Sequence, residues 1–130
     1  MSESCMCNSA PRLIFSCAGA ADVGEIADRA ARILHKEGVG KIYCLAAIGA
    51  GLQNFIEQTK CASKVLVIDG CPVDCAKKLL NKNGIDNFEY IRITDSGLEK
   101  GKSPATNENI EKIAAQGRSI LVNKELLQGA

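Results

Sequence analysis

Short apolar runs alternate along this chain with stretches whose apolar residues recur every three or four positions. Leu13-Ile14-Phe15 reads as a buried strand, followed by a loop from Ser16 to Ala21. The period then turns helical, with Val23, Ile26, Ala27, Ala30, Ile33 and Leu34 on one face. Asp22 with Glu25 three residues on makes a capping-box-like start, and Gly38 supplies a stop. Lys41 to Leu45 reads as a second strand, and the helix after it carries Leu52, Phe55 and Ile56 on one face. Val65-Leu66-Val67-Ile68 is a β-branched-rich run of the kind expected where both faces of a parallel sheet are covered. Pro72 suits the first position of a helix, capped by Cys71, that buries Val73, Ala76, Leu79 and Leu80 and ends near Gly84. Phe88 to Ile93 makes a fourth strand, and a polar loop runs from Thr94 to Ala105. Thr106 or Asn107 caps a last helix bearing Ile110, Ile113 and Ala114, with Gly117 after it. The tail from Ser119 to Leu127 suits a short edge strand or a terminal helix.

Strands alternating with helical stretches mean βαβ units around a parallel sheet. Right-handed crossovers put helices on both faces. The expected fold is therefore α/β, a three-layer sandwich of flavodoxin or Rossmann type. Its sheet has four strands in the order 2-1-3-4, or five if the tail adds one. Residues 1–11 read as an N-terminal tail holding Cys5-x-Cys7, and residues 12–130 as a single domain. Residues 97–104, GLEKGKSP, have the composition of a mobile loop.

Composition adds one anomaly to this pattern. There are 16 basic and 15 acidic residues, a balance unlike the basic excess of a nucleic-acid binder. With 3 Phe, 2 Tyr and no Trp, little is available to stack on bases. No apolar run reaches the ~18 residues of a membrane span, and the N-terminal segment lacks the apolar core of a signal peptide. These features point to a cytoplasmic domain with no nucleic-acid or membrane partner; they specify no protein partner. The anomaly is 7 cysteines. An odd number cannot pair completely within one chain, and cytoplasmic thiols stay reduced, so metal binding or thiol chemistry comes to the fore.

Cys17, Cys44 and Cys71 are 27 residues apart in both intervals, about one strand plus one helix. Each thus falls at or near the C-terminal end of its strand, the edge along which open parallel sheets bind ligands. Cys75 lies four residues beyond Cys71, where helical side chains come within reach of one another. Two thiolates on one zinc need sulfurs about 3.8 Å apart. The predicted ligand set is therefore Cys17, Cys44, Cys71 and Cys75, a donor set suited to zinc or an iron–sulfur cluster. Helix N-termini at that edge offset thiolate charge, with Lys77, Lys78, Lys100 and Lys102 in support. Asp69, Asp74 and Asp95 oppose it, and are expected to accept backbone N–H bonds instead. Gly19, Asp69, Gly70 and Lys100 form the expected surroundings of the ligands. Gly70 lets the chain turn sharply into Cys71, and Gly19 exposes backbone N–H groups in the first loop. Cys5 and Cys7 are further candidate contacts, Cys61 reads as a packing residue, and the single histidine, His35, as a helix-end residue.

The segment Ile68-Asp69-Gly70-Cys71-Pro72-Val73-Asp74-Cys75 resembles the DGC-domain family, named for its Asp-Gly-Cys motif. Cys17-Ala18-Gly19-Ala20, Cys44-Leu45-Ala46 and Thr94-Asp95-Ser96-Gly97-Leu98-Glu99-Lys100 support the resemblance in matching order, over roughly residues 12–102. Ala18 stands where the family often has Ser, and Cys5 and Cys7 lie outside the core pattern. The resemblance implies a zinc-binding protein whose four cysteine ligands map onto Cys17, Cys44, Cys71 and Cys75. It implies no reaction.

Two readings stand beside one Zn²⁺ held by four thiolates in a structural, sensing or metal-handling role. A thiol enzyme would use Cys17 or Cys71 as redox or sulfur-transfer nucleophile, with Cys75 resolving. Its C-x3-C spacing differs from the thioredoxin-like C-x-x-C, and no general base lies nearby. An iron–sulfur protein would use the same four ligands. Full coordination by four thiolates leaves no place for water and disfavours hydrolysis.

Overall fold

The computed structural model describes residues 10–123. Among them, β1 (Arg12–Ser16), β2 (Lys41–Ile42), β3 (Lys64–Asp69) and β4 (Glu89–Arg92) form one sheet. Its order is β2-β1-β3-β4 and every pairing is parallel, the topology expected from the alternating pattern. Alternate residues of β1 and β3 face opposite ways and build two cores. Ile14, Leu66 and Ile68 join α1 (Asp22–Lys36) and α5 (Asn107–Arg118) on one face. Leu13, Phe15, Val65 and Val67 join α3 (Gln53–Lys60) and α4 (Cys75–Lys82) on the other, beside the short α2 (Leu45–Gly49). β1 and β3 are therefore apolar throughout because helices cover both faces.

Several boundaries differ from the sequence reading, each for a local reason. Ala21 is the N-cap of α1 and makes no side-chain cap. Asp22 is the first helical residue, and its carboxylate accepts from the N–H groups of Gly101 and Ser103. That bond ties down residues 97–104: Ser103 is buried, and its hydroxyl accepts from Glu99 N–H. Composition alone suggests mobility there, but the distant Asp22 supplies the anchor. Strand β2 is only two residues long, so Cys44 lies outside it as the N-cap of α2. Gly117 does not end α5. It sits inside the helix, where an added Cβ would come within 2.7 Å of Leu34 Cδ1, so glycine here allows α5 to approach α1 and β3. Thr106 caps α5, its hydroxyl accepting from Asn109 N–H. The chain continues as a helical turn, Ser119–Asn123, and not as a fifth strand within the described residues.

Candidate metal centre

The C-terminal ends of β1 and β3 meet at one edge of the sheet, where backbone packs against backbone. A Cβ on Gly70 would lie 2.9 Å from Gly24 N and from the Val23 carbonyl carbon. A Cβ on Gly24 would lie 2.9 Å from Gly19 O. Gly70 carries no positive φ, so its glycine answers close approach and not the sharp turn expected from sequence. Gly70 N–H donates to Cys17 Sγ at 3.1 Å, joining the first loop to the Asp-Gly-Cys turn.

Beyond Gly70 the chain makes a turn closed by Asp74 N–H donating to Cys71 O at 3.0 Å. Cys71 is not the cap of α4. Helix α4 begins at Cys75, with Asp74 as its N-cap at φ 58°. The two cysteines therefore lie on either side of a turn and not along one helical ridge. Left-handed backbone is costly for an L-residue other than glycine, and Asp74 is held there from outside. Arg92 donates to both its oxygens, at 2.8 and 2.7 Å, a bidentate pair. Tyr90 OH stands 2.8 Å from Asp74 Oδ1 and 2.8 Å from Asp69 Oδ2. With one phenolic proton between two carboxylates, Tyr90 stays a phenol; burial foremost, then these bonds, push its pKa far up. Asp69 is 1% exposed and accepts from the N–H groups of Ala76 and Lys77, at 2.9 and 3.0 Å. It thus satisfies the start of α4 from the end of β3.

The expectation for the aspartates holds for Asp69 alone. Asp74 and Asp95 pair with Arg92, at 2.7 and 3.2 Å. Two of the N-terminal N–H groups of α4, those of Ala76 and Lys77, are spent on Asp69 and not on sulfur. Tyr90 and Arg92 went unread in the sequence. Their signal is the spacing of two polar-tipped side chains at i and i+2 near the end of a strand, which places both on one sheet face.

Arg92 holds the Asp74 carboxyl down from 3.8 to about 2. A carboxyl whose folded-state pKa is depressed stabilises the fold above its unfolded value, and that contribution fades as pH falls. Acid unfolding followed by circular dichroism should therefore carry an Asp74 component between about pH 4 and pH 2, bounded by those two values. Asp74→Asn should lose stability at neutral pH and show a shallower slope in that window. An unchanged acid slope would refute the clamp.

Cys17, Cys44, Cys71 and Cys75 are free thiols. Cys17 is half-buried and packs against both cores, and Cys71 packs against the α1 face. Burial pushes the Cys17 thiol up, with Gly70 N–H acting in the opposite sense. Cys17, Cys71 and Cys75 line one cavity of about 610 Å³, together with Gly19, Gly70 and Lys100. Cys44 is exposed at the start of α2 and does not line it. Asp69 does not line the cavity, but its carboxylate acts on Cys17, adding to burial in pushing that thiol's pKa up. Lys77 lies over the Tyr90 ring at 4.9 Å, and Lys102 pairs with Glu99 at 3.7 Å. His35 is remote from these thiols in the fold: its Nδ1 accepts from Ile42 N–H, as a helix-end residue. Cys61 is disulfide-bonded and so is not the packing thiol expected from sequence. Cys5 and Cys7 lie outside the described residues.

These donors suit zinc in kind, since free thiols at a sheet edge are soft ligands. In position they are open. Among the described residues, no three His, Cys, Asp or Glu side chains stand together closely enough to hold a metal ion. No described helix is long and apolar enough to cross a membrane.

The chain is 24% identical over 88 residues to the anaerobic and virulence modulator AnvM of Pseudomonas aeruginosa, a match covering 68% of this chain and 67% of that protein. No solved structure matches it. The DGC domain matches residues 13–116, spanning β1 to α5 and three of the four free thiols' shared cavity, and the chain belongs to the DGC-domain family.

Proposed function

We propose that this protein binds a soft metal ion, zinc foremost, at the C-terminal edge of its sheet, in a metal-handling or sensing role. Cys17, Cys71, Cys75 and Cys44 are the pool of donors. The observation that carries this reading is the lining of one cavity by three free thiols delivered from β1, the Asp-Gly-Cys turn and the first residue of α4. A purely structural role is disfavoured by burial. Both cores are built from aliphatic and aromatic side chains, and the four thiols lie at their margin or outside. A closed structural site also brings its four ligands together, whereas these stand apart. AnvM is described as an anaerobic and virulence modulator, which is in keeping with sensing or handling more than with catalysis. A cytoplasmic setting belongs to the same proposal, with the disulfide at Cys61 an exception to the reduced state usual there.

Elemental analysis of anaerobically purified protein, paired with a chromophoric zinc-release titration, tests it. About one zinc per chain is expected. Cys71→Ser and Cys75→Ser should each lower that content, whereas Cys61→Ser should leave it unchanged. Iron with a visible absorption band would replace zinc by an iron–sulfur cluster on the same ligands. No metal, with a thiol titrating well below the ~8.5 of free cysteine, would overturn the proposal in favour of thiol chemistry.

A further inference from the structure

The cavity that collects these thiols also has the features of a site for an organic ligand. It measures about 610 Å³, within the range of small-molecule pockets. Its walls are largely apolar, with Val23, Leu45, Val73 and Leu79 around the sulfurs. Val73 stands in the turn between Cys71 and Cys75 and is 50% exposed, an apolar lip at the mouth of the cavity. The three thiols differ in access. Cys17 and Cys71 are half-buried and pack against the core, whereas Cys75 is exposed. Leu79 follows Cys75 by four residues within α4, so the two side chains share one helical face, and both line the cavity. Lys100 lines it too. An accessible sulfur, an apolar wall beside it and an ammonium group are thus gathered around one space.

We infer that Cys75 captures α,β-unsaturated aldehydes bearing an apolar chain, by addition of its sulfur to the double bond. Each part of such a ligand answers a feature of the cavity: a soft carbon electrophile for the soft sulfur, an apolar chain for Leu79, Leu45 and Val73, a carbonyl oxygen for Lys100. In the step, the Cys75 thiol gives up its proton and the thiolate sulfur bonds to the β-carbon. The carbon–carbon π bond breaks, and its electron pair moves through to the carbonyl oxygen as an enolate. The Lys100 ammonium stabilises the charge that gathers on that oxygen. The enolate then collapses to the aldehyde and takes a proton at the α-carbon, replacing the one the thiol released. The product is the sum of thiol and aldehyde, so the step has no leaving group and needs no oxidant or reductant. This use of Cys75 involves no metal and stands apart from the reading above.

The experiment treats the full chain, stripped of metal by a chelator and kept anaerobic, with acrolein or with trans-2-nonenal. The two reagents share the reacting group and differ in the apolar chain. Borohydride fixes the adducts, and peptide mapping by mass spectrometry reads the rate at each cysteine. Cys44 is free, exposed and outside the cavity lining, so it serves as the reference thiol within the same molecule. The ratio of Cys75 to Cys44 modification should rise about tenfold from acrolein to nonenal, the effect of burying roughly two methylene groups. The Cys75 rate should also saturate with nonenal concentration, whereas the Cys44 rate stays linear. Val73→Ser, at an exposed position, should lower the nonenal ratio severalfold and leave the acrolein ratio unchanged. Lys100→Ala should slow Cys75 with both reagents and leave Cys44 alone. An equal Cys75-to-Cys44 ratio for the two aldehydes would overturn the proposal, as would nonenal enrichment at Cys17 or Cys71 in place of Cys75. A wild-type rate in Lys100→Ala would overturn the part assigned to that lysine. Zinc content, measured on the untreated chain, reports on the metal-binding reading alone.

Discussion

Gly70→Ala should lower the melting temperature by roughly 10 °C or more and expose Cys17. The added methyl meets backbone, at 2.9 Å from Gly24 N and from the Val23 carbonyl carbon. Flexible side chains can swing away from such an intrusion, but the first turn of α1 cannot. Overpacking a core costs about 1–3 kcal/mol, and a backbone neighbour puts this case at the upper end. For a domain of this size each kcal/mol moves the melting point by about 3–5 °C. Displacement of α1 from β3 also breaks the bond from Gly70 N–H to Cys17 Sγ. Alkylation of Cys17, followed by mass spectrometry, should therefore quicken. Gly19→Ala is the matched control. An added Cβ there meets nothing within 4 Å, so the change should stay within about 0.5 kcal/mol. Equal melting points for the two variants would refute the close-packed account of the Asp-Gly-Cys turn.

Asp69→Ala should cost about 3 kcal/mol, read from denaturant midpoints. The carboxylate is buried and accepts from two backbone N–H groups and one phenol. Hydrogen bonds to a charged group contribute about 1.5–3 kcal/mol each, and buried donors left without acceptors add to the loss. The contributions do not sum, because Tyr90 OH retains Asp74 as an acceptor. Asp69→Asn keeps the size and one acceptor oxygen, so its midpoint should fall between wild type and alanine. Cys75 is the first residue of the helix that Asp69 holds, so zinc content should fall in the same order. If alanine and asparagine proved equally mild, Asp69 would have no part in fixing α4.

The parallel sheet and its strand order were legible because Leu13-Ile14-Phe15 and Val65 to Ile68 are apolar on both faces, and the helices between them keep a clear period. Placement of Cys17 and Cys71 at one edge followed directly. Other features lay beyond local pattern. The start of α4 was misplaced by three residues because Pro72 resembles a first helical residue. The deciding contact is Arg92 on Asp74, eighteen positions away in sequence. Cys44 seemed part of a strand because Ile42 and Leu45 flank it, yet β2 pairs with β1 over only two residues. The anchoring of residues 97–104 depends on Asp22, which reads locally as a capping residue. For α4 and for residues 97–104 a long-range polar contact overrode a sound local signal, whereas at Cys44 the strand pairing stops short.

That last contact has a consequence for the order in which the molecule assembles. Asp22 reaches Ser103 across 81 positions, and the bond between Gly70 and Cys17 spans 53. Long loops must close before such contacts form, and chains emerge from the ribosome N-terminus first. Cys17 is therefore synthesised long before Lys100 can take its place beside it. During that interval the early thiols are open to any soft ion or oxidant the cell presents, and the window shuts only when the last βα unit docks.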